Sequence, residues 1–255
     1  MRKLLLAAFA ALLAAGSAGA IINGEPDGNR HPYVVALRLI GPNGVANLCS
    51  GTLVSPTVVV TAGHCTFGVT APVLVWNSPN VMGSPPASAG RAYTGPEFSP
   101  ERNLPNTGDL GVVRLELGPP ILLPEYGRLP AAGSLDTFSS KKGQQDLDVT
   151  LVGYGLQSLD GPPFQRVTGK AQIRNVNSNN VRDYGLQTSN SRGNGTGGSG
   201  TCLGDSGGPI LYGDSNLVIG VNSWSQNANC VGNDFSYRTD TASARAFLGR
   251  FTPLP

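Results

Sequence analysis

The chain has 255 residues, 40% of them hydrophobic and only 13% charged, against roughly 25% charged in an average soluble protein. That length accommodates one large all-β domain or two small ones, and either can bury a proper core. Lys and Arg number 18 against 16 Asp and Glu, and Arg2 and Lys3 lie in a segment expected to be removed, so the mature charge balances and no nucleic-acid partner is indicated.

Arg2 and Lys3 make a positive start, Leu4 to Ala15 is apolar, and Ala18-Gly19-Ala20 is a small-residue cleavage pattern. That order predicts a secretory signal peptide over residues 1–20 and a secreted, extracellular product. A membrane anchor needs about 18 or more apolar residues, and Gly16 and Ser17 interrupt this run. No later segment is apolar for long enough to span a bilayer, so the mature form is expected to be free of the membrane.

Short runs rich in Val, Leu, Ile and Thr then alternate with turn clusters. Tyr33 to Ile40, Leu48 to Val54, Thr57 to Thr61, Val73 to Trp76, Leu110 to Leu115, Val149 to Gly153 and Leu217 to Trp224 read as strands. Pro, Gly, Asn and Ser fill the gaps between them. Gly118 to Pro130 carries four prolines and suits a linker. It divides residues 21–120 from residues 121–255, two halves of similar size. Asn190 to Gly200 reads as a Gly/Ser/Asn-rich loop, either plain surface or the wall of a site. Only Thr241 to Arg250 has helical periodicity. Many short strands and almost no helix predict an all-β fold of barrels or a sandwich.

The four cysteines, Cys49, Cys65, Cys202 and Cys230, are an even count in a secreted chain and predict two disulfides. Spacing leaves all three pairings open. With no CxxC pair and only two histidines, a structural zinc site is not expected.

The strongest motif is Gly204-Asp205-Ser206-Gly207-Gly208-Pro209. A serine hydroxyl is a weak nucleophile that needs a base within hydrogen-bond reach. It also needs backbone N–H groups aimed at the developing oxyanion, and here those of Gly204 and Ser206 are the natural donors. Flanking glycines permit the backbone angles of such a turn. The looser Gly-x-Ser-x-Gly pattern of α/β-hydrolases also matches, but that fold needs a helix after the motif and a histidine after the serine; neither is present. The base must lie upstream. His31 precedes Pro32 and reads as a surface residue. His64, in Thr61-Ala62-Gly63-His64-Cys65, follows a strand and adjoins a cysteine. Asp109, at the mouth of the apolar strand Leu110 to Leu115, is the candidate orienting acid, since a carboxylate there is costly unless hydrogen-bonded. Asp136, Asp146, Asp148 and Asp160 compete, each in polar loop sequence.

These motifs, with Ile21-Ile22-Asn23-Gly24, Gly153-Tyr154-Gly155 and Ser223-Trp224, resemble those of the trypsin/chymotrypsin family in order and approximate spacing over the whole mature length. The order His, Asp, Ser is the chymotrypsin order. The resemblance implies two six-stranded antiparallel Greek-key β-barrels around a central cleft, with a short C-terminal helix. His64 and Asp109 come from the first barrel and Ser206 from the second. The implied activity is hydrolysis of peptide bonds by a Ser-His-Asp triad through an acyl-enzyme, the scheme general to this family. The oxyanion hole would be Gly204 and Ser206, and Ser223 would support Asp109. A freed Ile21 amine would pair with Asp205. Cys49 would pair with Cys65, and Cys202 with Cys230. Neither metal nor organic cofactor is implied. The implied partners are protein or peptide substrates and protein protease inhibitors, and the implied state is a monomer.

The specificity pocket carries the departures. Gly200, six before the nucleophile, offers no charge to a Lys or Arg side chain. Thr201, Ser223 and Trp224 line the same region, and Ser225 stands where a glycine is usual. Alignment of Asn233-Asp234-Phe235-Ser236-Tyr237 puts Phe235 at another glycine and narrows the pocket. A one-residue shift would put Asp234 there and restore a basic preference. The expected preference is therefore a small or medium apolar residue before the scissile bond. A non-catalytic protease homologue acting as a binding or adhesion protein is the alternative; such proteins usually lose a triad member. Asn194-Gly195-Thr196 is a glycosylation sequon.

Overall fold

The computed structural model describes residues 21–101, 106, 108–138, 147–155, 164–176, 181–182, 184–189, 198–227 and 230–255. The signal segment 1–20, the Asn194 sequon and most of the loop from Asn190 lie outside the described residues, as do Asp146 and Asp160.

Among the described residues thirteen strands follow one another: β1 (Glu25–Pro26), β2 (Val34–Ile40), β3 (Ala46–Ser55), β4 (Val58–Thr61), β5 (Val73–Trp76), β6 (Ser88–Thr94), β7 (Gly111–Arg114), β8 (Asp148–Gly153), β9 (Val167–Asn175), β10 (Gly185–Ser189), β11 (Pro209–Tyr212), β12 (Val218–Ser225) and β13 (Asn233–Arg238). Strands β2 to β7 close into an antiparallel barrel in the order β2-β3-β4-β7-β6-β5. Strands β8 to β13 form the second six-stranded ring, order β9-β10-β13-β12-β11-β8, closed by the β8–β9 pairing. The two-barrel, all-β expectation is met. Closure removes the free sheet edges that short apolar strands such as Val58-Val59-Val60-Thr61 would otherwise expose.

The short helix α1 (Gly63–Thr66) follows β4 and carries His64. Helix α2 (Ala242–Leu248) starts at Thr241, whose hydroxyl accepts from the Ala244 N–H at 3.2 Å. Its buried Ala244, Phe247 and Leu248 join the cluster built on the first barrel's core. The N-terminal segment crosses the other way. β1 pairs with β9, Ile22 bridges Gly200, and Ile21 is buried among Val149, Leu151 and Val167 of the second core. The barrel strands themselves fall on either side of residue 120, while the N-terminal segment and α2 each reach across to the other core.

That crossing is fastened by charge. Asp27 and Arg166 are both fully buried and form an ion pair, Nε to Oδ2, at 2.8 Å. Asp27 also accepts from the His31 backbone N–H at 3.1 Å and meets His31 Nδ1 through its other oxygen. His31 is thus a partner in a buried network and not the surface residue that its sequence neighbourhood suggests. Burial pushes the Asp27 carboxyl upward, but the His31 hydrogen bonds and the Arg166 charge outweigh it and hold the pKa at about 2.

Breaking one member of a buried pair leaves an uncompensated charge, which typically costs about 3–5 kcal/mol. Asp27→Asn is expected to destabilise the fold at neutral pH by an amount of that order, read as a lowered thermal midpoint. The pair's contribution is present above the ordinary carboxylate value of 3.8 and is lost as pH falls toward about 2. Thermal unfolding of wild type and Asp27→Asn should therefore converge as pH drops through that window; a gap unchanged down to pH 2 would contradict this assignment.

Candidate active site

The motif around Ser206 is shaped by glycine where no side chain could fit. Gly207 has φ +80°, and a Cβ there would lie 2.0 Å from Thr61 Oγ1 and 2.5 Å from the Ser50 carbonyl oxygen. This close approach sets the second-barrel turn directly against β4, one turn before His64. Ser50 N–H donates to the Ser206 carbonyl at 2.8 Å, and Cys65 Sγ lies 3.8 Å from that same oxygen. The Cys49–Cys65 disulfide pins the histidine turn to β3, and Cys202–Cys230 ties the turn before Ser206 to the start of the β13 segment. Both pairings are those that the resemblance implied.

Asp109 is 2% exposed and has its carboxylate fully engaged. Oδ1 accepts from the His64 backbone N–H at 2.7 Å, and Oδ2 lies 2.8 Å from His64 Nδ1. Ser223 Oγ also donates to Oδ2. The ring nitrogen facing Asp109 is thereby the protonated one, leaving Nε2 as the free base. Burial lowers the His64 pKa, but the hydrogen bond and charge of Asp109 together raise it above the ordinary 6.5. Among the described residues no hydrogen bond joins Ser206 Oγ to His64, a looseness common before substrate binds.

The competing acids are elsewhere. Asp136 pairs with Arg238 at 2.6 Å, and Asp148 opens β8 as an exposed residue.

The N–H groups in the nucleophile turn divide into two sets. Those of Asp205, Gly207 and Gly208 donate to the carbonyls of Cys202, Asn222 and Asp205 at 2.8–3.0 Å. Those of Gly204 and Ser206 donate to no described group. Gly204 holds φ +94°, and its carbonyl is held by the Ser50 hydroxyl at 2.9 Å. Two uncommitted N–H groups flanking a serine are the donor pair an oxyanion needs.

Asp205 is buried, and its carboxylate accepts from Gly155 N–H and Cys202 N–H, both at 2.9 Å. Burial raises its pKa well above the ordinary value against those hydrogen bonds. In the unprocessed chain the Ile21 nitrogen is a peptide nitrogen, and among the described residues no cation pairs with Asp205.

The pocket differs from expectation. Cross-strand registry aligns Trp224 with Phe235 and Ser225 with Asp234. The Phe235 ring stacks on Trp224 with centroids 3.8 Å apart and planes at 7°, and with Ser223 the two rings line a small cavity. Adjacent strand residues face opposite ways, and the residue beside Gly200 and Thr201 is Asp234. It is fully buried, and its Oδ2 accepts from Thr201 N–H at 2.8 Å. Its Oδ1 has no partner among the described residues. Burial pushes this carboxyl up to about 6 despite the hydrogen bond from the Thr201 N–H. Thr201 Oγ1 donates to Asn222 Oδ1 at 2.9 Å, and Ser225 Oγ to the Thr201 carbonyl at 3.1 Å.

A family model described as Trypsin matches residues 21–247. A trypsin of Saccharopolyspora erythraea is 33% identical over 217 residues, covering 81% of this chain and 87% of the relative. Brachyurin of Leptuca pugilator is 30% identical over 188 residues, covering 71% and 77%. A solved structure of HL collagenase superposes with a TM-score of 0.71 at 20% identity, covering 90% of this chain and 97% of that one.

If Nε2 of His64 is the working base, turnover must fall as pH drops through the His64 pKa, because the protonated ring cannot accept. The acidic limb of a kcat/KM profile is expected at or above pH 6.5. Asp109→Asn should lower kcat by about 10⁴-fold through the wrong tautomer. It should also shift that limb downward, and a limb that stays in place would remove Asp109 as the source of the shift.

Proposed function

The chain belongs to the trypsin family, and from that premise we propose that it is a secreted serine endopeptidase, with Ser206 as nucleophile, His64 as base and Asp109 as orienting acid. The observations that carry this reading are the fully engaged Asp109 carboxylate, which leaves His64 Nε2 as acceptor, and the uncommitted N–H groups of Gly204 and Ser206 in the nucleophile turn.

Ser206 Oγ attacks the scissile carbonyl carbon and passes its proton to His64 Nε2. The Gly204 and Ser206 N–H groups receive the oxyanion. His64 then gives the proton to the leaving amine as the C–N bond breaks, and Asp109 holds the imidazolium without taking a proton. Water, deprotonated by His64, hydrolyses the acyl-enzyme and restores the serine.

Activation belongs to the same reading. Signal cleavage after Ala20 creates the Ile21 ammonium, which pairs with Asp205 and makes that buried carboxylate a stable charge. Ile21 already sits in the second core and Ile22 is already bridged to Gly200, which supports a short final movement. An N-terminus other than Ile21 should leave the protein nearly inactive.

The pocket changes the substrate preference suggested by Gly200. Asp234 is ionised above pH 6 or so and offers an unpartnered oxygen, Oδ1. The mature enzyme therefore takes Lys or Arg before the scissile bond at neutral and alkaline pH, and relaxes toward apolar residues as Asp234 gains a proton.

Ser206→Ala and His64→Ala should each lower kcat by several orders of magnitude, with the double variant little worse than either. An organophosphonate should label Ser206 in the wild type only. Normal turnover by Ser206→Ala would refute the assignment. For the pocket, a peptide library profiled at pH 5 and pH 8 should show the ratio of basic to apolar cleavage rising with pH. Asp234→Asn should abolish that rise, and an apolar profile at both values would restore the preference read from Gly200.

A further inference from the structure

Arg166 lies outside the catalytic turn, yet its guanidinium is among the most heavily committed groups in the molecule. It is fully buried, and besides the Asp27 ion pair it donates to Asn29 Oδ1 at 2.6 Å. Through NH1 it reaches the Val34 carbonyl at 3.0 Å, and the Asn77 carbonyl and the Tyr154 hydroxyl at 3.1 Å. One side chain thus joins the N-terminal segment, the first barrel and the loop after β8. An arginine fork presents five donors in one rigid plane, which the compact, rotating ammonium of a lysine does not.

Tyr154 carries the connection onward. Its hydroxyl accepts from Arg166 and donates to the Ser78 carbonyl at 2.8 Å. Its ring is fully buried, so the side chain behaves as a rigid rod. At the other end, its own N–H donates to Ser50 Oγ at 2.9 Å. That same hydroxyl holds the Gly204 carbonyl at 2.9 Å, and so orients the peptide next to the oxyanion donors. The next residue, Gly155, supplies one of the two N–H groups on Asp205. There is no slack at this point, because a Cβ on Gly155 would stand 2.7 Å from the Leu203 carbonyl oxygen and 2.8 Å from the Asp205 carboxylate.

We infer that Arg166 is a positioning residue for the oxyanion hole: through Tyr154 it fixes Ser50, Gly204 and Asp205, and through Asp27 and Asn29 it fixes the segment that delivers the Ile21 amine. One buried cation holds both things the hole depends on, the loop behind Asp205 and the strand leading to its counter-charge. The inference rests on the serine-endopeptidase reading.

A donor displaced by about an ångström costs on the order of 10²-fold in rate. It acts on the oxyanion and not on ground-state binding, so kcat falls while KM holds. The test uses the mature enzyme, a peptide p-nitroanilide and a peptide boronic acid, whose tetrahedral adduct with Ser206 places an anionic oxygen in the hole. Tyr154→Phe cuts the link at one atom and keeps the ring, and should lower kcat about tenfold. Arg166→Met should lower it about 10²-fold. In both, KM should move less than about twofold, and boronate affinity should fall in step with kcat. Should Arg166→Met not fold, Tyr154→Phe decides alone. Wild-type kcat in Tyr154→Phe, or a kcat loss with unchanged boronate affinity, overturns the inference. Phosphonate labelling of wild-type Ser206 separates the two failures. Labelling with an unaffected Tyr154→Phe sinks only the role of Arg166, whereas no labelling and no turnover in the wild type sinks the underlying enzyme reading.

Discussion

The Asp109 carboxylate is where the two barrels become one site. It accepts twice from His64, on the first barrel, and once from Ser223 of β12, on the second. A carboxylate in an apolar setting is strongly unfavourable unless every lone pair is used, and here the three donors arrive from both sides of the cleft. The charge therefore penalises separation of the barrels, which would strip a donor from a group that water cannot reach. The same geometry that makes burial of Asp109 tolerable also sets the tautomer of His64, so on the proposed reading folding stability and chemical function meet in one residue.

Much of this is legible in the sequence because the proposed chemistry demands residue types that structure alone does not. A glycine-flanked serine, a histidine between a strand and a cysteine, and an aspartate opening an apolar run are each costly or unusual. Strands with continuous apolar character, such as Val58-Val59-Val60-Thr61 and Val34 to Ile40, are likewise plain. The strands that the pattern does not reveal are of another kind. β6 reads Ser-Ala-Gly-Arg-Ala-Tyr-Thr, and β9 carries Gly169 and Lys170 mid-strand. Both take their pairing from neighbours already in place, and barrel closure overrides weak local propensity. The β13 segment reads by composition as an irregular pocket wall, and its period of two is hidden among polar residues. On a strand, a one-residue slip exchanges faces entirely, which is why Phe235 and Asp234 trade places between sequence and structure.

The buried charges away from the triad are the least visible. Nothing local marks Asp27 or Arg166, since an acid in Pro-Asp-Gly-Asn reads as a turn and an arginine before a strand reads as surface. Their meeting depends on the β1–β9 pairing, a contact between residues 139 positions apart in sequence. A sequence window contains no trace of such a pair.

A low charge count makes these positions more informative. With 13% charged residues, the chain still buries Asp27, Asp109, Asp205, Asp234 and Arg166, and each is answered differently. Asp27 has a cation, Asp109 three neutral donors, and Asp205 two backbone N–H groups. Asp234 has an oxygen left over. A graded set of this kind is not what stability alone selects, because apolar replacements of buried ion pairs are often neutral or stabilising. Groups that must hold still from the outset are fully satisfied within the chain. Among the described residues neither Asp205 nor Asp234 pairs with a cation, and burial raises the pKa of both.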